Sequence, residues 1–240
     1  MSFAQNAGGV GKVKAAHSRK RKTDTTRTLK LKGGRTGKAK GKPKAKGTGK
    51  VREHELYSTP PEATQALLDR YGVTLRGRKV WECAVGEWQL ANVLTAGGCT
   101  VVGTDLNDLG REGQGGVMFQ TAPWPEGMGE DDAVVTNPPF SQAAAFILHA
   151  VVDLKASFVA LLLKACYFHA AERLELFERC PPTAVHPLGW RLDFTGEGSP
   201  AMEMSWYVWT VGGPAFGRTL YDPMPRPRAA CDDLFSGVAS

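Results

Sequence analysis

The stretch Ala133-Val134-Val135-Thr136-Asn137-Pro138-Pro139-Phe140 decides how this chain is read. Ala133–Thr136 is an apolar, β-branched run of strand length, and it stops abruptly at Asn137. Pro138 and Pro139 fix φ and remove two backbone donors, so the turn is stiff and rich in acceptors. A hydrophobic strand that ends this way fits the carboxyl edge of an open α/β sheet, where such sheets bind ligands.

Working outward, the elements alternate. Downstream, Ala143, Phe146, Ile147, Ala150, Val151 and Leu154 share one helical face, with Ser141 placed to cap it. Ser157–Leu163 is a near-continuous apolar run, as expected of a central strand buried on both faces. Tyr167–Arg179 reads as a helix stopped by Pro181-Pro182, and Met204–Val211 as a late aromatic strand. Upstream, Thr59-Pro60-Pro61-Glu62 predicts a helix start, with Thr59 as N-cap, Glu62 closing a capping box and Gly72 as the stop. Lys79–Cys83 and Thr100–Gly103 read as strands around a helix at Gln89–Ala96, and Val117–Phe119 as a short third strand. This alternation predicts an α/β fold, a three-layer αβα domain on a mostly parallel sheet.

Charge divides the 240-residue chain. Residues 1–52 carry 17 Lys/Arg against one acid, Asp24, whereas the whole chain is only +6, so the remainder is acidic. The basic stretch has almost no apolar residues to offset its ordering entropy and is expected to be a disordered tail. Lys38, Lys40, Lys42, Lys44 and Lys46 alternate with small residues, either as a phosphate-binding arm or as a solubilising or address segment. The expected organisation is this tail, a domain over 53–212, and a Pro-rich C-terminal tail over 213–240. The five cysteines show no metal or disulfide spacing and read as reduced thiols of a cytoplasmic protein, with no metal expected. No apolar run is long enough for a membrane span, and no secretory leader is expected.

The turn Trp81-Glu82-Cys83-Ala84-Val85-Gly86-Glu87-Trp88 sits where a doubly wound sheet places its nucleotide loop. Gly86 lets backbone approach a ligand, and the helix from Gln89 starts behind it. Asp105, 19 residues past Gly86, ends the second strand, where a carboxylate can accept hydrogen bonds from both hydroxyls of a ribose. At the other loop, the carbonyl oxygens of Asn137 and Pro138 could accept both protons of an aromatic amine while Phe140 stacks on its ring. Such stacking is worth about 1–3 kcal/mol. Two acceptors of this kind favour a pyramidal nitrogen whose lone pair points out of the ring plane, toward an electrophile held opposite.

Together these residues resemble class I amino-methyltransferases, and within them the small adenine-N6 DNA methyltransferases of phages and prophages. The resemblance spans Tyr57 to about Val211 and includes Tyr57-Ser58-Thr59-Pro60, Glu82–Gly86, Asp105, Asn137–Phe140 and Trp206–Trp209. It implies a Rossmann-like fold with a seven-stranded sheet, and S-adenosylmethionine as cofactor. Tyr57, Thr59, Glu82, Ala84 and Gly86 would then line the methionine side, Asp105 the ribose and Phe119 the cofactor adenine. It also implies a bacterial or phage-infected cytoplasm.

The chain departs from the family pattern at three positions. Cys83 replaces a proline, Trp88 replaces the second loop glycine, and Met118 stands where an aspartate often meets the cofactor's amino group. Trp88 either crowds the loop or turns into the helix–sheet interface. Past Val211 only 29 residues remain for target recognition, which predicts weak sequence preference. Lys164 and Arg191, at strand ends, are candidate phosphate contacts. The expected activity is adenine-N6 methylation of DNA, single strands costing less than a duplex because no base need be flipped. The alternatives are guanine N2 of RNA, a protein glutamine amide, or an inactive nucleic-acid-binding scaffold.

Overall fold

The computed structural model describes residues 58–108, 110, 115–214 and 217–228. Seven strands form one sheet: β1 (Lys79–Glu82), β2 (Thr100–Gly103), β3 (Ala133–Thr136), β4 (Phe158–Lys164), β5 (Ala184–Pro187), β6 (Met204–Thr210) and β7 (Leu220–Tyr221). Their spatial order is β2-β1-β3-β4-β6-β5-β7. The pairs β1–β2, β1–β3, β3–β4 and β5–β7 are parallel, and β6 runs antiparallel to both β4 and β5.

Side chains alternate between the two faces of the sheet, as the period-two pleat requires. Val80, Ala133, Val135, Phe158, Ala160, Leu162, Trp206 and Val208 face one core, which is closed by α1 (Pro61–Leu75) and α2 (Gln89–Ala96). Trp81, Val134, Val159, Leu161, Leu163, Tyr207 and Trp209 face the other, under α3 (Ala143–Leu148) and α4 (Leu174–Arg179). The result is the three-layer αβα arrangement with its sheet buried on both sides.

Several local expectations are corrected. The helix after Tyr57 does not stop at Gly72 but runs on to Leu75, which is fully buried. Burying that leucine outweighs the penalty of about 1 kcal/mol for an interior glycine. Val117–Phe119 is not a strand; Phe119–Thr121 forms a 3-10 turn. Pro123 and Pro125, which cannot donate to a ladder, follow at once, and Phe119 is drawn into a cluster with Trp81 (centroids 5.0 Å apart) and Phe146 (4.8 Å). Tyr167–Ala170 is not helical: a 3-10 turn at Ala171–Arg173 leads into α4. Past α3, His149–Asp153 continues as a π-helix, and neither α1 nor α3 has a side-chain cap; their N-cap residues are Pro60 and Gln142 rather than Thr59 and Ser141.

The seventh strand comes from a stretch not expected to form one. Residues 217–228 fall in the stretch read as a loose tail, yet Leu220–Tyr221 pairs with β5 and Met224 is buried. The segment is tied to α1 through His186. The Tyr71 hydroxyl lies 2.7 Å from its Nε2, and its Nδ1 lies 2.6 Å from the carbonyl of Asp222. Burial, with Arg70 nearby, lowers the imidazole pKa to about 4. A neutral ring that donates from Nδ1 to the carbonyl and accepts from Tyr71 satisfies both nitrogens.

The stretch around Gly72 yields a stability test. A Cβ added there meets nothing within 4 Å. Gly72→Ala should therefore stabilise the protein by about 0.5–1 kcal/mol, read as a higher denaturation midpoint in urea at unchanged slope. An unchanged or lower midpoint would mean that the last turn of α1 is not helical in solution.

Candidate active site

The carboxyl ends of β1, β2 and β3 open onto one cavity of about 1120 Å³. Glu82 ends β1, Asp105 follows β2, Asn137 follows β3, and all three line it. That volume lies at the upper end of ordinary ligand pockets, about 300–1,000 Å³, and suits two ligands side by side.

Glu82 is 1% exposed. Its Oε1 accepts hydrogen bonds from the hydroxyl of Thr136 and from the backbone N–H of Ala84, the latter at 3.3 Å. Among the described residues Oε2 has no hydrogen-bond partner. Burial pushes the carboxyl pKa up to about 8 against those two hydrogen bonds, and the nearby Asp105 adds to the rise. A buried acid with one uncommitted oxygen in a cavity wall is suited to meet a cation.

The loop behind it is held by backbone bonds. Val85 N–H donates to Thr104 O (3.0 Å), and Trp88 N–H to Val85 O (2.9 Å). Gly86 has φ +48° and donates its N–H to Asp105 Oδ2 at 3.1 Å. The other oxygen of Asp105 accepts from the backbone and side chain of Asn107, at 2.8 and 3.2 Å. The carboxylate is thus oriented in advance at the cavity wall.

Trp88 has φ +69°, a left-handed conformation that disfavours any bulky residue. The backbone therefore keeps a glycine-like shape although the side chain is large. Its ring lies on Gly103 of β2, where an added Cβ would fall 2.7 Å from Cζ2. Trp88 is absent from the cavity wall, so the ring does not crowd the loop. The absence of a side chain at Gly103 leaves room for the Trp88 ring.

Asn137 donates from Nδ2 to the hydroxyl of Thr59 at 3.1 Å, which orients the amide and spends the hydroxyl expected to cap α1. Thr59, Ala84, Gly86, Phe119 and Pro139 line the cavity with it. Pro138 and Phe140 do not, contrary to expectation. Phe140 packs against the core beneath α1, and the Lys164 ammonium sits 4.8 Å above its ring. Arg191 is likewise outside the cavity, with its guanidinium on Glu203 Oε1 at 2.7 Å. Met118 is 53% exposed and also absent from the wall; Gln120 lines it instead, donating to the side-chain oxygen of Gln142. Tyr57 and Lys38, Lys40, Lys42, Lys44 and Lys46 lie outside the described residues.

One wall was not legible beforehand. Asp193, Phe194, Thr195 and Gly196, from the connection between β5 and β6, close the cavity, and Arg226 joins them. Asp193 Oδ1 accepts from the hydroxyl (2.9 Å) and N–H (3.1 Å) of Thr195 and from Gly196 N–H (3.0 Å), while Oδ2 accepts from Gly198 N–H (2.6 Å). These bonds, that from the Thr195 hydroxyl foremost, hold its carboxyl below the usual range. Asp followed by Thr195, Gly196 and Gly198 is an Asx-turn signal, but nothing local tells that the turn hangs over a cavity. Among the described residues no group of His, Cys, Asp and Glu is arranged to hold a metal, and no helix is long and apolar enough to cross a membrane.

No family profile matches the chain, and no curated protein matches it. Solved structures do. A modification subunit provisionally assigned to a type I restriction enzyme of Vibrio vulnificus superposes with a TM-score of 0.52 at 13% identity, over 76% of this chain. That match spans only 49% of the subunit's own length. A protein of Pyrococcus horikoshii provisionally assigned as an RNA methyltransferase gives 0.49 at 17% identity, over 65% of this chain and 86% of its own. A protein of Listeria monocytogenes provisionally assigned as a class I S-adenosylmethionine-dependent methyltransferase gives 0.48 at 12% identity, over 72% and 68%. The chain shares with the modification subunit a Rossmann-like, three-layer αβα fold.

Glu82 makes the protein pH-sensitive in a definite direction. Below its ordinary pKa of 4.5 the carboxyl is protonated whether the chain is folded or not. Above that the unfolded chain ionises while the folded one keeps its proton to about 8, so folding loses stability as the pH rises through this window. Glu82→Gln removes the loss, and its melting temperature should gain on wild type progressively from about pH 5 to 8. Parallel pH profiles of the two proteins would show that the folded carboxyl is already ionised.

Proposed function

We propose that this protein transfers a methyl group from S-adenosylmethionine to an exocyclic amino group of a nucleic-acid base, adenine N6 of DNA being the expected target. The observation that carries the reading is the continuity of one cavity from the carboxyls of Glu82 and Asp105 to the amide of Asn137.

The residues suit this cofactor. Glu82, with its uncommitted Oε2, can meet the positive charge of the methionine end. Asp105 takes the ribose hydroxyls, Gly86 and Ala84 give backbone access, and Phe119 offers an apolar face to the adenine. When bound, the cofactor supplies an electrophilic methyl on a sulfonium sulfur. The protein's own part is placement. Asn137, turned by Thr59, presents its carbonyl oxygen to one proton of the target amine and draws the lone pair out of the ring plane. Neither residue needs to be a strong base, because the methylated nitrogen sheds its proton readily.

For stacking, Phe194 already forms a wall of the cavity, whereas Phe140 is covered by Lys164. An exposed cation–π contact is worth about 0.5–1 kcal/mol, and stacking a base on an aromatic ring about 1–3 kcal/mol. The base can therefore displace the ammonium, which is then free for a phosphate. The Lys/Arg-rich residues 1–52 supply sequence-independent attraction to the polyanion, in keeping with weak sequence preference.

Incubation with methyl-labelled cofactor and DNA or RNA oligonucleotides, followed by nucleoside mass spectrometry, tests the reading; the expected product is N6-methyladenine in DNA. Label in guanosine of RNA, or in protein, would redirect it to another planar amine. Asn137→Ala should lower turnover by about 100-fold or more while calorimetric cofactor affinity holds. Asp105→Ala should weaken that affinity at least tenfold, about 1.4 kcal/mol. Absence of binding heat at millimolar cofactor would sink the proposal.

A further inference from the structure

Five carboxylic residues line the cavity: Glu62, Glu82, Glu87, Asp105 and Asp193. Among the described residues of the wall, Arg226 is the sole cation. A polyanion that approaches such a mouth meets like charge, which costs affinity unless a cation stands at the point of entry. Arg226 lines the cavity with its side chain 65% exposed, and so can serve as that cation.

The chain builds this position with some care. Asp222 N–H donates to Val185 O (3.1 Å) and Met224 N–H to Pro187 O (2.9 Å), while Met224 O accepts from Gly189 N–H (2.9 Å). These bonds extend the sheet edge beyond β7, and Met224 is only 4% exposed. Gly189 allows the approach, because a Cβ there would lie 3.1 Å from Met224 O. Pro225 and Pro227 flank Arg226, restrict φ and withhold backbone donors, so the segment stays extended and carries its arginine to the cavity.

The guanidinium is held lightly. Its one hydrogen bond among the described residues runs from Nη2 to Glu62 Oε1 at 3.3 Å, between side chains 65% and 27% exposed. Pairs of this kind contribute about 0–1 kcal/mol. An arginine fork meets a phosphate with two parallel, charge-assisted bonds, which are stronger. Glu62 therefore keeps the side chain in place without competing seriously for it.

We propose that Arg226 anchors a backbone phosphate of the nucleic-acid strand whose base enters the cavity, with Glu62 as its resting partner. The inference rests on the nucleic-acid reading above and names the residue that seats the strand. It makes Arg226 a positioning residue, which sets where the strand lies and takes no part in the transfer itself.

The test uses the full chain. Binding of a labelled single-stranded DNA oligonucleotide is followed over a salt series for wild type, Arg226→Gln, Arg226→Lys and Gly189→Ala. Loss of one phosphate contact should lower the slope of log affinity against log salt by about 0.7. Arg226→Gln should show that drop, whereas Arg226→Lys should keep the slope, as should Gly189→Ala, whose added Cβ needs Met224 O to give by only a few tenths of an ångström. In turnover, Arg226→Gln should raise the KM for the oligonucleotide about fivefold or more with kcat within about twofold. An unchanged salt slope in Arg226→Gln overturns the proposal. So does a selective loss of S-adenosylmethionine affinity, which would assign the guanidinium to the cofactor's carboxylate. If wild type methylates no base and yet the slope falls as expected, the phosphate anchor stands and the methyl-transfer reading fails.

Discussion

The hydrogen bond from the Thr136 hydroxyl to Glu82 joins the ends of β3 and β1 at the point where the sheet opens into the cavity. It holds a carboxyl that is otherwise cut off from water, and one of its oxygens has no hydrogen-bond partner among the described residues. A site of this kind is costly while empty and favourable once a cation fills it. Loop 83–88 and the Asn137 turn continue directly from those two strands, and the Asp105 carboxylate is fastened to the loop through the Gly86 N–H. Stability set aside at one buried acid is a common accompaniment of a functional site.

The loop also shows how a fold absorbs an unusual residue. Trp88 keeps a left-handed backbone where glycine would be unstrained, and its ring is received by Gly103 across the connection to β2. The ring fills space that a side chain at position 103 would occupy, and it does not line the cavity. A substitution that looks disabling in a motif can therefore be neutral in three dimensions when a partner position has made room.

Hydroxyl and amide groups near the site are committed to one another rather than to helix ends. Thr59 serves Asn137 and leaves α1 with proline as its N-cap; Gln142 holds Gln120 across the mouth. The seven-stranded count is reached without a strand at Val117–Phe119, because the edge next to β5 gains Leu220–Tyr221. Parallel pairing needs only that a segment lie beside an open edge, and two residues suffice when Met224 is buried behind them.

By itself the sequence determined the alternating α/β order, the apolar central strand read at Ser157–Leu163 and found at Phe158–Lys164, and the strand ends that carry Glu82, Asp105 and Asn137. These follow from residue periodicity and from prolines and glycines at strand ends, which act locally. Tertiary structure alone decided that Asp193–Gly196 and Arg226 close the same cavity, that Phe140 turns beneath Lys164, and that the Pro-rich end of the chain docks on β5. Those placements depend on contacts between residues far apart in the chain. Hydrophobic burial and loop closure choose among many such contacts, and no short window of residues records the choice.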